Sequence, residues 1–186
     1  QKRGRTMLGH AFIFEGIHTF ADIELLECQA FNTAFIEAGL PWIWDRQVYR
    51  KFGDIEDGQE RIRLYAMEMN VEMTCLDTAR LHRHVIRYFT GRASRFGISL
   101  QPGVEHMIAR ARKFGSKVGL VSRHALAPTI RLYNGSDLKI DALGPDVAAV
   151  TRVLDVAEIK VIGSGDRLRL VETILAQPAE SVAGVA

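Results

Sequence analysis

Glu15, Ser122 and Asp166 each follow a short apolar run, and carboxylates and hydroxyls in such places can move protons, bond anions or hold cations. Glu15 closes the run His-Ala-Phe-Ile-Phe-Glu and leads into Gly16, Ile17, His18 and Thr19. A carboxylate at a strand end can do chemistry, or it can simply accept hydrogen bonds from loop N–H groups. His18 adds an imidazole that titrates near neutrality. Ser122 follows the apolar residues 118–121 and offers a hydroxyl, either for an anionic oxygen or as a helix-entry residue. After residues 159–162 comes Gly163-Ser164-Gly165-Asp166, where Asp166 is a second carboxylate or the N-cap of a helix containing Leu168 and Leu170. The lone Gly-x-Gly at this point does not specify a dinucleotide site.

Placing these groups together requires a particular scaffold. Residues 10–15, 117–121, 140–143 and 159–162 read as short buried strands. Leu25, Cys28, Phe31, Phe35 and Ala38 recur at spacings of three and four before Gly39 and Pro41, which predicts a helix with a glycine stop. Further helices are expected over residues 59–69, 76–96, 102–114, 126–132 and 167–176, with Gly91 and Gly97 as breakers near the end of the third helical stretch. Alternating strands and helices predict an α/β fold with a doubly wound parallel sheet. Ligands of such sheets bind beyond the carboxyl ends of the strands, where Glu15, Ser122 and Gly163 should gather. Residues 7–21 and 98–177 are expected to form this core and residues 22–97 an inserted all-helical cap. Residues 1–6 and 178–186 are expected to be flexible ends.

Composition removes several function classes. The chain has 186 residues and 47% hydrophobic content, enough for a real core in one domain with a modest insertion. Its 24 basic and 22 acidic residues are interspersed, without the basic runs of a nucleic-acid binder. Cys28 and Cys75 suggest neither a disulfide framework nor a zinc site, so a reducing intracellular compartment is expected. That is the cytoplasm, or an organelle if the basic segment before Met7 is a processed end. No apolar run approaches the roughly 18 residues that would span a bilayer, so no membrane insertion is expected.

The motifs are similar to those of the haloacid dehalogenase (HAD) superfamily, in its branch containing CbbY-type, β-phosphoglucomutase and phosphoglycolate phosphatase proteins. Phe14, Thr19, Asp22 and Glu24 match its first motif, Phe-Asp-x-Asp-Gly-Thr-Leu-x-Asp-Thr/Ser-Glu. Residues 29–45 resemble the first cap helix and its exit. Gly58-Gln59-Glu60-Arg61-Ile62 resembles the cap recognition loop Gly-Gly-Lys-Glu-Arg-Ile, and Leu100-Gln101-Pro102-Gly103-Val104 the return to the core. The resemblance covers roughly residues 10–175 and implies a HAD-like Rossmannoid core with a helical cap.

The same resemblance implies a catalytic set from which this chain departs. Glu15 stands where the family has its aspartate nucleophile, Ile17 where it has the acid/base aspartate, and His18 where it has a glycine. Ile17 cannot exchange a proton, a loss of typically 10² to 10⁴ in rate. An extra methylene at Glu15 displaces the attacking oxygens by about 1 Å, enough to cost about a hundredfold. The third-motif lysine is missing between Ser122 and Ile159, with Lys139 and Arg152 the nearest cations, and the interval looks about 20 residues short, as though the lysine and its helix were gone. The fourth-motif acids are replaced by Gly163 and Ser164. In the cap, Gln59 replaces the recognition-loop lysine and Val85 a second lysine. Arg61 remains to carry charge toward a ligand.

The resulting expectation is a pseudophosphatase with a structural or regulatory binding role in a protein assembly. Residual catalytic candidates are Glu15 and Ser122, phosphate-binding candidates are Thr19, Ser122 and Arg61, and the metal candidate is Asp166. No cofactor is expected. Mg²⁺ belongs to the alternative, a diverged sugar-phosphate phosphohydrolase using Glu15, Ser122 and Asp166. A second alternative is a non-catalytic phosphometabolite sensor. Trp42, Trp44, Tyr49 and Tyr65 are candidate interface anchors, or core residues.

Overall fold

The computed structural model describes residues 9–133 and 140–163 and divides into two compact units. Of the described residues, one unit comprises 9–20, 100–122 and 140–163, and the other 21–99 and 123–133. Residues 123–133 thus group with the helical unit, whereas sequence pattern placed them in the α/β part. The expected helix at 167–176, both flexible ends and Lys139 lie outside the described residues.

The α/β unit is built on β1 (His10–Glu15), β2 (Lys117–Val121), β3 (Ala142–Gly144) and β4 (Glu158–Ile162). They form one parallel sheet in the order β3-β2-β1-β4. β1 is flanked on both sides, with Ala11 and Ile13 buried on one face and Phe14 on the other, as a central parallel strand requires. Strand order reverses beside β1, so its carboxyl end is a topological switch point. Two strands have the expected bounds, while β3 begins two residues later than expected.

Three helices accompany this sheet: α1 (Ile17–Phe20), α6 (Val104–Lys113) and α8 (Val147–Leu154). α6 starts after Gly103 in a left-handed conformation, with φ of 81°, and carries Arg110, Arg112 and Lys113 in its last turn, where they oppose the helix dipole. Arg112 reaches Asp141 at 2.5 Å, and the same carboxylate accepts the Val118 N–H at 2.7 Å, tying α6 to the start of β3. α8 corrects the expectation that a helix is missing before the last strand. Asp146 caps it by accepting the Ala149 N–H at 2.8 Å, and Val150 and Leu154 join Ala11, Ile13 and Ala142 in the core.

α8 approaches the sheet over Gly119. A Cβ there would lie 2.4 Å from Val150 Cγ1 and 3.3 Å from Ile13 Cγ1. Gly119→Ala is therefore expected to destabilise the protein by about 1–3 kcal/mol through overpacking, read as a lower urea midpoint. An unchanged midpoint would show that α8 can withdraw from the sheet at no cost.

The helical unit contains α2 (Glu24–Glu37), α3 (Arg46–Lys51), α4 (Gly58–Glu68), α5 (Cys75–Phe96) and α7 (Ala127–Tyr133). α5 opens on a capping box between Thr74 and Asp77 and ends at Gly97, with φ of 74°. Gly91 lies inside this helix and does not break it, because cooperative hydrogen bonding over six turns outweighs the roughly 1 kcal/mol propensity loss of one glycine. α7 packs on α5 and brings its segment into this unit.

An aromatic cluster holds α2 against the chain that follows it. Trp44 stacks on Phe31 at 4.4 Å and meets Phe35 and Tyr65 edge-on. Asn32 accepts the Trp44 N–H at 2.7 Å and donates to its carbonyl at 2.8 Å, fixing the strand-like exit from α2. Trp42, Trp44 and Tyr49 are buried and Tyr65 is partly so, so these aromatics are core, not exposed interface anchors. The large apolar side chains that do face solvent include Ile43, Leu76 and Phe96.

Candidate functional site

At the carboxyl end of β1 the backbone turns on Gly16, whose φ is +86°, and the Gly16 N–H donates to the Val121 carbonyl at 2.8 Å. This bond holds the ends of β1 and β2 side by side. Glu15 is exposed at the turn. The Thr19 hydroxyl donates to the Glu15 main-chain carbonyl at 2.8 Å, and Thr19 is buried, so this phosphate-binding candidate is committed to closing α1 onto the strand. Ile17 is 1% exposed and Phe20 is fully buried. Phe20 meets Phe14 edge-to-face at 5.3 Å. The position following the strand-end glycine therefore belongs to the apolar interior and has no proton to offer.

Ser122 is buried just beyond β2, and its N–H donates to the Gly144 carbonyl at 3.0 Å, extending the β2–β3 ladder by one residue. Glu15, Ser122 and Gly163 thus sit at the carboxyl ends of three strands of one sheet, as the alternating pattern predicted. Ser164 and Asp166 lie outside the described residues. Arg152 is exposed on α8 and its Nε donates to the Ala148 carbonyl at 3.4 Å, one helical turn back.

In the helical unit, polar chemistry is concentrated on Glu27, which is fully buried on α2. One carboxylate oxygen accepts the Tyr49 hydroxyl and lies 3.3 Å from Arg61 Nη1. The other lies 3.2 Å from His124 Nε2. His124 Nδ1 accepts the Leu126 N–H at 3.2 Å, which assigns the ring proton facing Glu27 to Nε2. Burial pushes the Glu27 pKa up, but His124 Nε2 facing the carboxylate, the Arg61 charge and the Tyr49 hydroxyl outweigh it and bring it down to about 2. Burial first, and then the Glu27 charge, push the Tyr49 phenol well above its ordinary value.

Arg61 needs correction as a ligand-binding candidate. It is completely buried, it pairs with Glu27, its Nε donates to the Ile55 carbonyl at 2.5 Å, and the Tyr49 ring lies 5.4 Å from its guanidinium carbon. Its charge is consumed within α4's attachment to α2 and α3. Glu27 itself escaped notice in the sequence, although a signal is present: Glu27, Ala30, Phe31 and Ala34 follow a helical i, i+3, i+4, i+7 series, and all four are buried. An acid on such a face requires buried partners.

Relatives of known structure or description share this architecture. No family model matches the chain. Protein CbbY of Cereibacter sphaeroides is 30% identical over 116 residues, which is 62% of this chain and 50% of the relative. The chain spans about half the length of the curated relatives it matches. Among solved structures, a variant of CbbY from Rhodobacter sphaeroides in complex with xylulose-(1,5)-bisphosphate aligns with a TM-score of 0.67 at 24% identity, covering 83% of this chain and 77% of the other. A β-phosphoglucomutase from Clostridium difficile aligns with a TM-score of 0.61 at 16% identity, over 80% and 72% of the two chains. Among the described residues, no helix is long and apolar enough to cross a membrane.

Proposed function

We propose that this chain is a member of the haloacid dehalogenase superfamily without phosphoryl-transfer activity, retained for a structural or regulatory binding role in a protein assembly; the 30% identity to protein CbbY and the shared fold support the family reading. The observation that carries the proposal is Ile17. The position that the family motif gives to the acid/base aspartate holds an apolar side chain that is part of the interior, so no proton donor can act from it. Glu15 retains a carboxylate but with a longer side chain, which misplaces its oxygens for in-line attack.

The donor set for Mg²⁺ supports the same reading. Mg²⁺ requires near-octahedral oxygen ligation and is generally held by one or two carboxylates with waters and substrate. Of the described residues just beyond the strand ends, Glu15 supplies a carboxylate, Gly163 has no side chain, and Asp146 is used as the cap of α8. Among the described residues this set does not fit the ion. A binding role for the fold does not require these groups.

The test is a panel of phosphate monoesters with Mg²⁺. The expected result is no turnover above that of buffer for both the natural chain and Glu15→Ala. Turnover by the natural chain that disappears in Glu15→Ala would overturn the proposal in favour of a diverged phosphohydrolase using Glu15, Ser122 and Asp166. The assembly role is tested at low salt by purification from the source followed by mass spectrometry. A stable protein partner is expected, and a monomer travelling alone counts against it.

A further inference from the structure

Charge is divided unevenly along the helical unit. Residues 21–77 carry 12 acidic and 5 basic side chains, whereas residues 78–99 carry five arginines and no acid. These arginines all lie on α5, and Arg80, Arg83, Arg87, Arg92 and Arg95 are all exposed. Arg80 lies 3.9 Å from Asp77, and Arg87 lies 3.1 Å from Glu37. Among the described residues, Arg83, Arg92 and Arg95 have no ion-pair partner. Nor, among the same residues, do Asp54 and Glu56, which are exposed between α3 and α4, while neighbouring Asp57 caps α4. One unit thus carries unmatched charge of both signs.

Helix geometry sets the arginines in a stripe. Leu76, Arg80, Arg83, Arg87, Gly91 and Ser94 recur at spacings of three and four, which keeps them on one side of a helix, and all six are exposed. The stripe runs ~27 Å along the axis, with ~10 Å between Arg80 and Arg87. The chain from Asp54 to Asp57 reaches at most ~11 Å, so the acidic run is matched in length to the arginines. Leu76 is 82% exposed and supplies apolar area at the start of the stripe. At Gly91 a Cβ would meet nothing within 4 Å, so no described neighbour requires a glycine there. It costs about 1 kcal/mol relative to alanine in a helix interior. A position without a side chain is where a second backbone can come close.

We propose that the α5 stripe is an interface with a second copy of this chain, in a twofold dimer where Arg80, Arg83 and Arg87 of each copy meet Asp54, Glu56 and Asp57 of the other. Each copy carries both halves of the contact, so a twofold axis makes it twice. A partner that was basic throughout would set like charges against the stripe, at a cost of several kcal/mol. Exposed ion pairs fix orientation more than strength, and salt screens them, so the dimer is salt-sensitive. The inference rests on the non-catalytic assembly role and names its partner, yet the two fail separately: phosphatase turnover overturns that role, whereas self-association is read from the mass of the purified chain.

The test is analytical sedimentation of the full chain at about 100 µM, in about 50 mM and about 500 mM salt. A particle of twice the chain mass is expected at low salt, with a dissociation constant at least about tenfold higher at high salt. Arg80→Glu with Arg83→Glu, and separately Asp54→Lys with Glu56→Lys, change exposed residues, so each variant is expected to keep its melting temperature and to be monomeric. Mixed in equal amounts, the two variants are expected to pair with each other, because each reversed face then meets its complement. Gly91→Leu is expected to keep or raise the melting temperature through helix propensity while weakening the dimer at least about tenfold. The proposal is overturned by a natural chain that is monomeric at low salt, by association indifferent to salt, by reversed variants that dimerise singly or stay apart when mixed, or by Gly91→Leu associating like the natural chain. A monomer that instead captures RNA or anionic vesicles overturns it as well.

Discussion

Replacing Arg61 with alanine is expected to lower the unfolding free energy by about 3–5 kcal/mol, the cost of leaving one member of a buried ion pair without the other. Glu27 would keep its place on α2 while losing the guanidinium 3.3 Å away, and the Ile55 carbonyl would lose its 2.5 Å donor. Removing the side chain also leaves a void beside Tyr49, whose ring it covers. Urea denaturation measures the loss through the midpoint at constant slope. The double replacement Glu27→Gln with Arg61→Met removes both charges together and is expected to recover a substantial part of the loss, because buried ion pairs are often replaceable by neutral groups of similar volume. A single Arg61→Ala variant within about 0.5 kcal/mol of the natural chain would show that water reaches Glu27 and that the network is not a structural centre.

This network also shows what the sequence could and could not convey. β1 and β2 were legible to the residue because a central parallel strand is a short apolar run with a turn at its end, and Gly16 and Ser122 mark those ends. Helix stops at Gly39 and Gly97 were legible for the same local reason. α3 escaped because six residues bearing Arg46, Arg50 and Lys51 show no apolar stripe; its N-cap, Asp45, is the only local signal. The fate of Arg61 was illegible on physical grounds. An arginine in a loop motif near a helix start is ordinarily a solvated charge, and only a partner 34 residues away converts it into a buried one. The aromatic residues were ambiguous in the same way, since side-chain type says that Trp44 will bury area but not against what. In the candidate site, the strand-end placement of Glu15 and Ser122 followed from topology, whereas Thr19's commitment to the Glu15 carbonyl depends on the turn geometry of Gly16.

Acid is expected to weaken the fold steeply through the same carboxylate. Glu27 ionises in the folded protein at about 2, against an ordinary value of 4.5. Above the ordinary value both folded and unfolded forms are ionised, and the full stabilisation is present. As pH falls from 4.5 toward 2, the unfolded chain takes up a proton at this position before the folded chain does, so stability is lost over that window. The shift corresponds to about 3 kcal/mol at the usual 1.36 kcal/mol per pH unit. His82 adds an earlier loss, since burial lowers its pKa and the unfolded chain therefore binds its proton first as pH falls below 6.5. Comparing the natural chain with Glu27→Gln separates the two. The variant should be less stable at neutral pH, because the buried Arg61 guanidinium loses its anion, and both curves should share the His82 decline. Below pH 4.5 only the natural chain has the Glu27 term to lose, so the two unfolding free energies should converge toward pH 2. Curves that stay parallel from pH 6 to pH 2 would mean that protonation of Glu27 is no more costly folded than unfolded, and the buried acid would then have to be held by packing around α2 and not by the charges that face it.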